Sequence, residues 1–187
     1  MVILASGSPR RQELLKKLCT DFVIKPCNAA ESEIADNPKN LAIKNARLKA
    51  ETIAQKHFAD IVIGADTIVV LDGKIFGKPH GTQGAFEMLK TLSGKKHEVI
   101  TGLAIVAQGK TYTAAEVTEV YFGEMTDEEI SAYVATGEPL DKSGSYALQG
   151  GAAKFIEKIH GDWSNVVGLP LYRLRLLAKS AGVSFRE

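Results

Sequence analysis

Two arginines follow a small-residue turn near the start of the chain, in the segment ILASGSPRR. Ser8 is a good helix N-cap and Pro9 suits the first helical position, so Arg10 and Arg11 fall in the first turn of a helix. The helix dipole disfavours cations there by roughly 0.3–1 kcal/mol each, whereas a charge-assisted hydrogen bond to an anion returns about 1.5–3 kcal/mol. The segment therefore predicts a phosphate site at a helix N-terminus. Two solvated surface arginines are the alternative.

Asp66 interrupts a continuous apolar segment, IVIGADTIVVL. Aspartate is depleted in strands and is costly to bury without a partner, so this position favours a functional carboxylate. An aspartate carboxylate is ionised at neutral pH, and it can ligate Mg²⁺, accept a proton from water, or do both. A structural carboxylate that caps backbone N–H groups is the alternative. Thr67 can hydrogen-bond a ligand or act only as a β-branched strand residue.

Three further polar residues lie in predicted loops. Lys78 lies between Gly77 and Pro79, where a fixed turn can direct its ammonium group at a phosphate. Glu31, in the loop before a long helix, can supply a second oxygen to a metal ion. The Gln149 amide can donate and accept hydrogen bonds at a nucleobase edge. For each of the three, a solvated or loop-holding side chain is the alternative.

Several classes of protein are disfavoured. The Gly-Lys segments at Lys78 and Lys110 lack the spacing of a Walker A loop, and no GxGxxG fingerprint occurs. The two cysteines and four histidines show no metal-ligand spacing. A formal net charge of +1 gives no overall attraction to nucleic acid or to an anionic membrane. With neither a signal peptide nor a membrane span in the sequence, we expect a cytoplasmic protein without nucleic-acid or membrane partners.

The elements that must position these residues alternate between strands and helices. The predicted strands span residues 2–5, 21–26, 61–71, 97–107 and 111–122. The predicted helices begin at Pro9 and Thr126 or span residues 38–56, 82–92 and 169–181. At 45% hydrophobic and 24% charged, the composition is that of an ordinary globular protein. We therefore expect an α/β protein with a mixed sheet, as a single domain over residues 1–187.

Turn residues mark the connections. Asp72-Gly73 predicts a hairpin turn, and Gln108-Gly109-Lys110 predicts the connection of an antiparallel pair. The stretch 138–151 is predicted as a loop with one short strand. Strand-like alternation follows over 152–159, before a turn at His160-Gly161-Asp162.

Six blocks of the sequence together resemble the Maf family of nucleoside triphosphate pyrophosphatases. They follow the family's order with compatible spacing, and they read ILASGSPRR, GADTIV, GKP, LSGKKHEVITG, GEPLDKSGSYALQG and GDWSNVVGLP. The resemblance covers nearly the whole chain. It implies an α/β fold like that of the inosine triphosphate pyrophosphatases, with a long mixed curved sheet dividing two lobes and a cleft between them. It also implies, as in many members, a homodimer.

The GADT form together with DKSGSYALQG resembles the dTTP/UTP branch of that family. This resemblance implies hydrolysis of dTTP and UTP, with modified pyrimidine nucleotides as further candidates, to the nucleoside monophosphate and pyrophosphate. Such an activity cleans the nucleotide pool. A branch that acts on 7-methyl-GTP carries a different tripeptide where Ala65-Asp66-Thr67 stands. A non-catalytic, nucleotide-sensing regulator of division or septation is another alternative.

The resemblance also implies roles for single residues. Those expected to bind the triphosphate are Ser6, Arg10, Arg11 and Lys78. Asp66 is expected to accept the proton of the attacking water and, with Glu31, to hold a divalent cation, which is Mg²⁺ with Mn²⁺ or Co²⁺ as alternatives. Those expected to select the nucleobase are Arg11, Thr67 and Gln149.

One position departs from the family pattern. Where the family commonly shows LAxxKA in the long helix, this chain reads LAIKNA, so that Asn45 replaces a lysine that usually faces the cleft. Lys49 lies four residues later on the same helical face, from which it can reach the site instead.

Overall fold

The computed structural model describes residues 1–185 and shows an α/β fold with one seven-stranded sheet. The strands are β1 (Val2–Leu4), β2 (Phe22–Ile24), β3 (Ile61–Leu71), β4 (Lys74–Phe76), β5 (Lys96–Ala107), β6 (Lys110–Phe122) and β7 (Ile156–His160). The helices are α1 (Pro9–Leu15), α2 (Pro38–Ala54), α3 (Gly81–Leu92), α4 (Asp127–Ala135), α5 (Trp163–Val167) and α6 (Leu171–Ser180). Each helix within residues 1–185 is too short or too polar to cross a lipid bilayer.

The sheet is mixed, as predicted. Its strand order is β2-β1-β3-β5-β6-β7, with β4 paired to β3 outside this path. The β1 strand runs parallel to β2 and to β3, whereas β4 is antiparallel to β3 and β7 is antiparallel to β6. In the parallel register Leu4 lies opposite Ile63, so the segments that follow these two residues leave the pairing side by side.

The chain divides into two compact units. The first contains Met1–Thr67, Thr101–Glu116 and the segment from Gly168 onward. The second contains Ile68–Ile100 and Val117–Val167. Each unit has its own apolar core: the first core includes Ile3, Val62 and Ala104, and the second includes Leu89, Phe122, Ile130 and Tyr146.

In the first unit, α2 lies very close to two strands because glycines and alanines meet there. A Cβ atom added at Gly64 of β3 would lie 2.2 Å from the backbone oxygen of Ala46. One added at Gly102 of β5 would lie 2.2 Å from the backbone oxygen of Ala42. Only glycine permits this approach. The approach brings the buried face of α2 against the part of β3 that carries Asp66.

Local signals placed most of the elements correctly. The Asp72-Gly73 turn between β3 and β4 has positive φ at both residues, 49° and 77°, as a type I′ hairpin requires. The connection between β5 and β6 is the two-residue turn Gln108-Gly109, since Lys110 already belongs to β6. Thr126 caps α4 through a capping box with Glu129.

The region between α4 and α6 was predicted less well. The stretch 138–151 contains no strand and instead forms 3₁₀ turns over Glu138–Asp141 and Ser143–Ser145. A third 3₁₀ turn covers Gly151–Phe155, so the strand predicted over 152–159 begins only at Ile156. The short α5 was not predicted. Its start is fixed by Asp162, whose carboxylate accepts a hydrogen bond from the Ser164 N–H at 2.7 Å.

His97 is buried in the core of the second unit. Its Nε2 lies 2.8 Å from the Tyr146 hydroxyl, and its ring packs edge-on against Phe122 with the centroids 4.9 Å apart. Burial lowers the pKa of His97 to about 4, although the backbone of Lys95 opposes part of this shift. The side chain is therefore neutral in the folded protein at neutral pH.

We expect the free energy of unfolding to fall as the pH decreases from about 6.5 to about 4. The unfolded chain binds a proton at His97 near the ordinary pKa of 6.5, whereas the folded protein binds it only near pH 4, so acid favours the unfolded state in this window. The whole difference corresponds to about 3 kcal/mol. Chemical denaturation across this pH range measures it.

The matched variants for this experiment are His97→Gln and His80→Gln. His80 is exposed, so its replacement is expected to keep the wild-type dependence on pH. The His97 variant is expected to lose most of it. An equally steep acid dependence in both variants would contradict the assignment to His97.

Candidate active site

The loop after β1 and the start of α1 form one part of the site. The Ser8 side chain caps α1 by accepting a hydrogen bond from the Arg11 N–H at 3.5 Å, and Pro9 begins the helix, both as predicted. The buried Ser6 lies in the loop just before them. Because β1 and β2 are parallel and Leu4 lies opposite Ile24, this loop lies at the carboxyl ends of two neighbouring strands, where α/β sheets commonly bind ligands.

The Arg11 side chain is held by three protein groups. Its Nε donates to the Gly168 carbonyl oxygen at 2.8 Å, its Nη2 to the Thr67 hydroxyl at 3.0 Å and its Nη1 to the Ser6 hydroxyl at 3.3 Å. A guanidinium group carries five N–H donors. Two of them are therefore not used by residues 1–185 and can bind an anion.

Two further residues support this arrangement. The Thr67 hydroxyl also lies 2.8 Å from the hydroxyl of Thr101, which is fully buried on β5. Gly168 has a φ of +122°, and a Cβ atom there would lie 3.5 Å from both Arg11 Nε and Thr67 Oγ1. This positive φ disfavours any side chain at Gly168 and keeps its carbonyl oxygen directed at Arg11.

Asp66 forms the second part of the site, against α2. It is only 6% exposed, and its Oδ1 accepts a hydrogen bond from Lys49 Nζ at 2.7 Å. The same Lys49 nitrogen lies 2.8 Å from Glu31 Oε1. Lys49 therefore bridges the two carboxylates that the sequence predicted to work together.

Asn45 lies beside this ion pair and is 3% exposed. Its Nδ2 lies 3.5 Å from Asp66 Oδ2, and its amide also forms two hydrogen bonds to the backbone of Ser32. Where the family pattern has a lysine at position 45, this chain places an ammonium group at Asp66 from Lys49, one helical turn later. The prediction that Lys49 can reach the site is confirmed.

Charge couples the two parts of the site. Successive side chains of a strand point in opposite directions, so Thr67 contacts Arg11 whereas Asp66 contacts α2. Burial lowers the pKa of the Arg11 guanidinium, and the negative charges of Asp66 and Glu31 oppose this shift. Arginine stays protonated at neutral pH in any case. Arg11 is therefore a fixed positive charge that both carboxylates stabilise.

Arg10 and Arg11 differ in how the protein stabilises their positive charges. Protein oxygens and the nearby carboxylates already stabilise Arg11, so its position does not by itself require an anion. Arg10 is half-buried and makes no hydrogen bond or ion pair within residues 1–185. The phosphate site was predicted because the helix dipole disfavours a cation at a helix start. Within residues 1–185, no protein group offsets this cost at Arg10.

The donor set fits a hard divalent cation. Such ions prefer carboxylate oxygens, and Mg²⁺ commonly takes one or two of them together with waters and substrate phosphates. Asp66 Oδ1 lies 2.7 Å and Glu31 Oε1 lies 2.8 Å from the same Lys49 nitrogen. The two oxygens are therefore separated by at most the sum of these two distances. No group of three or more His, Cys, Asp or Glu side chains suited to a metal occurs within residues 1–185. Waters or phosphates would have to complete the shell.

Lys78 and Gln149 belong to the second unit, and both are exposed. The loops around them are ordered by contacts within that unit. The carbonyl oxygen of Gly77 accepts a hydrogen bond from Gly144 N–H at 3.1 Å, and Glu138 Oε2 accepts one from Gly151 N–H at 2.9 Å. The phosphate role of Lys78 and the base-selecting role of Gln149 stay predictions.

The first unit thus brings together most of the residues singled out from the sequence, in two adjoining clusters: Ser6, Arg11 and Thr67 in one, and Glu31 and Asp66 in the other. Sequence reasoning did not assign the contacts of Thr101 and Gly168. Gly168 lies within the block GDWSNVVGLP, which had carried the family resemblance without a role for this glycine.

This chain is similar to known proteins over most of its length. The family model described as "Maf-like protein" matches residues 1–181. A protein of Carboxydothermus hydrogenoformans named dTTP/UTP pyrophosphatase is 47% identical, with 92% of this chain and 94% of that protein covered. Proteins of the same name are 50% identical in Bacillus cytotoxicus, with 92% and 91% covered, and 46% identical in Methanosarcina barkeri, with 100% and 96% covered. Among solved structures, the Staphylococcus aureus Ham1 protein matches with a TM-score of 0.43 and 14% identity, with 82% and 90% covered.

Proposed function

The chain belongs to the Maf family, and on this premise we propose that it hydrolyses dTTP and UTP to the nucleoside monophosphate and pyrophosphate. Water attacks the α-phosphorus and the bond from that phosphorus to the bridging oxygen breaks. The observation that carries the proposal is the joint presence, in one unit, of a fixed guanidinium group and of two carboxylates joined by Lys49. Nucleotide-pool cleaning in the cytoplasm is the corresponding role, with a homodimer as the proposed assembly.

Asp66 is the proposed proton acceptor for the attacking water. Lys49 holds Asp66 Oδ1 at 2.7 Å, whereas within residues 1–185 the hydrogen-bond contact of Oδ2 is the longer one, 3.5 Å from Asn45 Nδ2. Oδ2 is therefore the oxygen best placed to accept a proton. A positioned carboxylate of this kind contributes roughly 10²–10⁴-fold to a rate.

Arg10 and Arg11 stabilise the charge that develops on the leaving pyrophosphate. Arg11 has two N–H groups to offer and a fixed position, while Arg10 has its whole guanidinium group available within residues 1–185. The Arg10 N–H in the first turn of α1 adds positive potential in the same place. Groups fixed before the reaction need no reorganisation, which is why such electrostatic stabilisation is usually the largest contribution to catalysis.

Asp66 and Glu31 are the residues proposed to hold a divalent cation, Mg²⁺ or alternatively Mn²⁺ or Co²⁺. When bound, such an ion neutralises phosphate charge and makes a coordinated water easier to deprotonate. Lys49 contacts both carboxylates and offsets their mutual repulsion.

A nucleotide panel with product identification tests the proposal. We expect dTTP and UTP to give the monophosphate and pyrophosphate, with activity lost in EDTA and restored by excess Mg²⁺, because the phosphate charge must be neutralised. The panel also contains CTP, ATP and 7-methyl-GTP. Release of inorganic phosphate with a nucleoside diphosphate, or preference for 7-methyl-GTP, would overturn it.

The position of attack has its own measurement. In ¹⁸O-labelled water, attack at the α-phosphorus places the label in the nucleoside monophosphate, whereas attack at the β-phosphorus places it in pyrophosphate. We expect the label in the monophosphate. Mass spectrometry of the separated products distinguishes the two outcomes, and label found in pyrophosphate would contradict the mechanism.

A further inference from the structure

Asn45 has an environment that helix formation does not explain. It lies in the middle of α2, although asparagine is a weak helix former, and it is 3% exposed, although burying an amide is costly unless its atoms are hydrogen-bonded. Its Oδ1 accepts a hydrogen bond from the Ser32 N–H at 2.8 Å, and its Nδ2 donates to the Ser32 carbonyl oxygen at 3.0 Å. Its Nδ2 also points at Asp66 Oδ2, 3.5 Å away.

Asn45 and Lys49 form matching contacts one helical turn apart. Each contacts one oxygen of Asp66, and each contacts one of two consecutive loop residues: Lys49 contacts Glu31 and Asn45 contacts Ser32. The pair therefore joins the loop to Asp66 at two points. Lys49 acts on the Glu31 side chain, whereas Asn45 acts on the backbone that carries it.

The loop that carries Glu31 and Ser32 covers residues 25–37, which form neither helix nor strand. Contacts with α2 are therefore needed to hold it in place. A further side-chain contact between this segment and α2 is a hydrogen bond from the exposed Lys44 to the Ile34 carbonyl oxygen, at 3.2 Å. Glu31 is itself exposed, with 52% of its side chain accessible, so burial does not fix its position. Lys49 contacts its carboxylate directly, and the paired hydrogen bonds at Ser32 hold the backbone of the adjacent residue.

We propose that Asn45 is a positioning residue, which fixes the backbone at Ser32 and thereby sets the Glu31 carboxylate relative to Asp66. The inference rests on the proposed function, because that function gives the Glu31 and Asp66 carboxylates a joint role. Asn45 does not touch substrate in this scheme and acts only through its two neighbours. Its polar amide is then required for turnover and not for the stability of α2.

The first experiment compares Asn45→Leu with Lys44→Met. Leucine is similar in size and a better helix former, but it cannot bond to the Ser32 backbone. We expect about a 10-fold lower kcat with dTTP and nearly unchanged KM, since a misplaced carboxylate slows the chemical step more than binding. We also expect faster hydrogen exchange in the peptide that contains Ser32. Lys44→Met removes the outer attachment only and is expected to keep wild-type kcat.

A double-mutant cycle separates positioning from a general structural effect. If Asn45 acts through Glu31, the loss caused by Asn45→Leu shrinks to less than about 2-fold when Glu31 is already Gln, because coupled residues are not additive. Fully additive losses, or wild-type kcat and exchange in Asn45→Leu, would overturn the inference. Should the leucine variant fail to fold, Asn45→Ser undergoes the same measurements. Failure of the proposed function is seen separately, as absence of turnover in the wild-type protein.

Discussion

Asp66→Asn is expected to lower kcat with dTTP and UTP by at least about 100-fold, while nucleotide binding persists. Asparagine keeps the shape of the side chain, but its amide does not accept a proton from water at neutral pH. Lys49 keeps its ion pair with Glu31, so the buried ammonium group is not left without a counter-charge. Steady-state kinetics gives kcat, and calorimetry with an α,β-methylene analogue of UTP gives the affinity.

The matched control is Asp72→Asn, the same chemical change just after the same strand. Asp72 is exposed and has a φ of 49°, a conformation that asparagine adopts readily, so we expect wild-type kcat and stability. Near-normal turnover in Asp66→Asn would remove this residue from the role of proton acceptor. Thermal unfolding of both variants shows whether any loss of activity comes from loss of the fold.

Local chemistry made much of the fold predictable. Ser8 and Pro9 mark the start of α1, Asp72-Gly73 forms the predicted hairpin turn, and Thr126 caps α4. Each of these signals acts within four residues, through a side-chain hydrogen bond or a backbone conformation that few residues adopt. Elements with such signals at their ends were therefore predicted to within a few residues.

The misplaced elements are those whose conformation depends on distant contacts. Around Gly150 the chain passes so close to Glu138 that a Cβ atom would lie 1.9 Å from Oε1, and Glu138 Oε2 accepts a hydrogen bond from Gly151 N–H. Gly144 packs against Val69 with a φ of +70°. Alternation of small and apolar residues in this stretch resembles a strand, but these contacts impose 3₁₀ turns. Neither contact has a local sequence signal.

In the candidate site, too, some features have a local sequence signal and others depend on distant contacts. Asp66 and Arg11 attracted attention because each is unfavourable where it stands, one within an apolar strand and the other at a helix start. Helical spacing predicted that Asn45 and Lys49 share a face. That this face meets Asp66 depends on the close approach of Gly64 to Ala46, which is a property of packing.

The hydrogen bond from Arg11 to Gly168 also depends on a distant contact that the sequence does not signal. The Gly168 carbonyl oxygen is 157 positions away in the chain, and no spacing rule connects the two residues. The sequence therefore pointed to a bound anion as the reason for the arginine. In the structure protein oxygens accept three of the five N–H donors of Arg11, and the phosphate-binding role of the group stays a proposal.

Arg11→Lys is expected to lower kcat/KM for dTTP and UTP by about 10²–10⁴-fold. Arg11 reaches Gly168, Thr67 and Ser6 with three differently placed nitrogens. A lysine has one ammonium nitrogen and cannot occupy those three positions, so about two hydrogen bonds from a charged donor are lost, each worth roughly 1.5–3 kcal/mol. Retaining the positive charge therefore does not rescue the variant. Initial rates at low substrate concentration measure kcat/KM, and thermal unfolding reports the loss of stability.

Arg173→Lys provides the matched control in the same unit. Arg173 is 41% exposed and makes an ion pair to Glu116 through Nε at 2.8 Å, an interaction that lysine can replace at a surface. We expect its kcat/KM to stay within about 2-fold of wild type, since exposed ion pairs contribute about 1 kcal/mol or less. If Arg11→Lys also remained within that range, a fixed guanidinium group would not be needed. The charge of the helix start alone would then have to hold the leaving pyrophosphate.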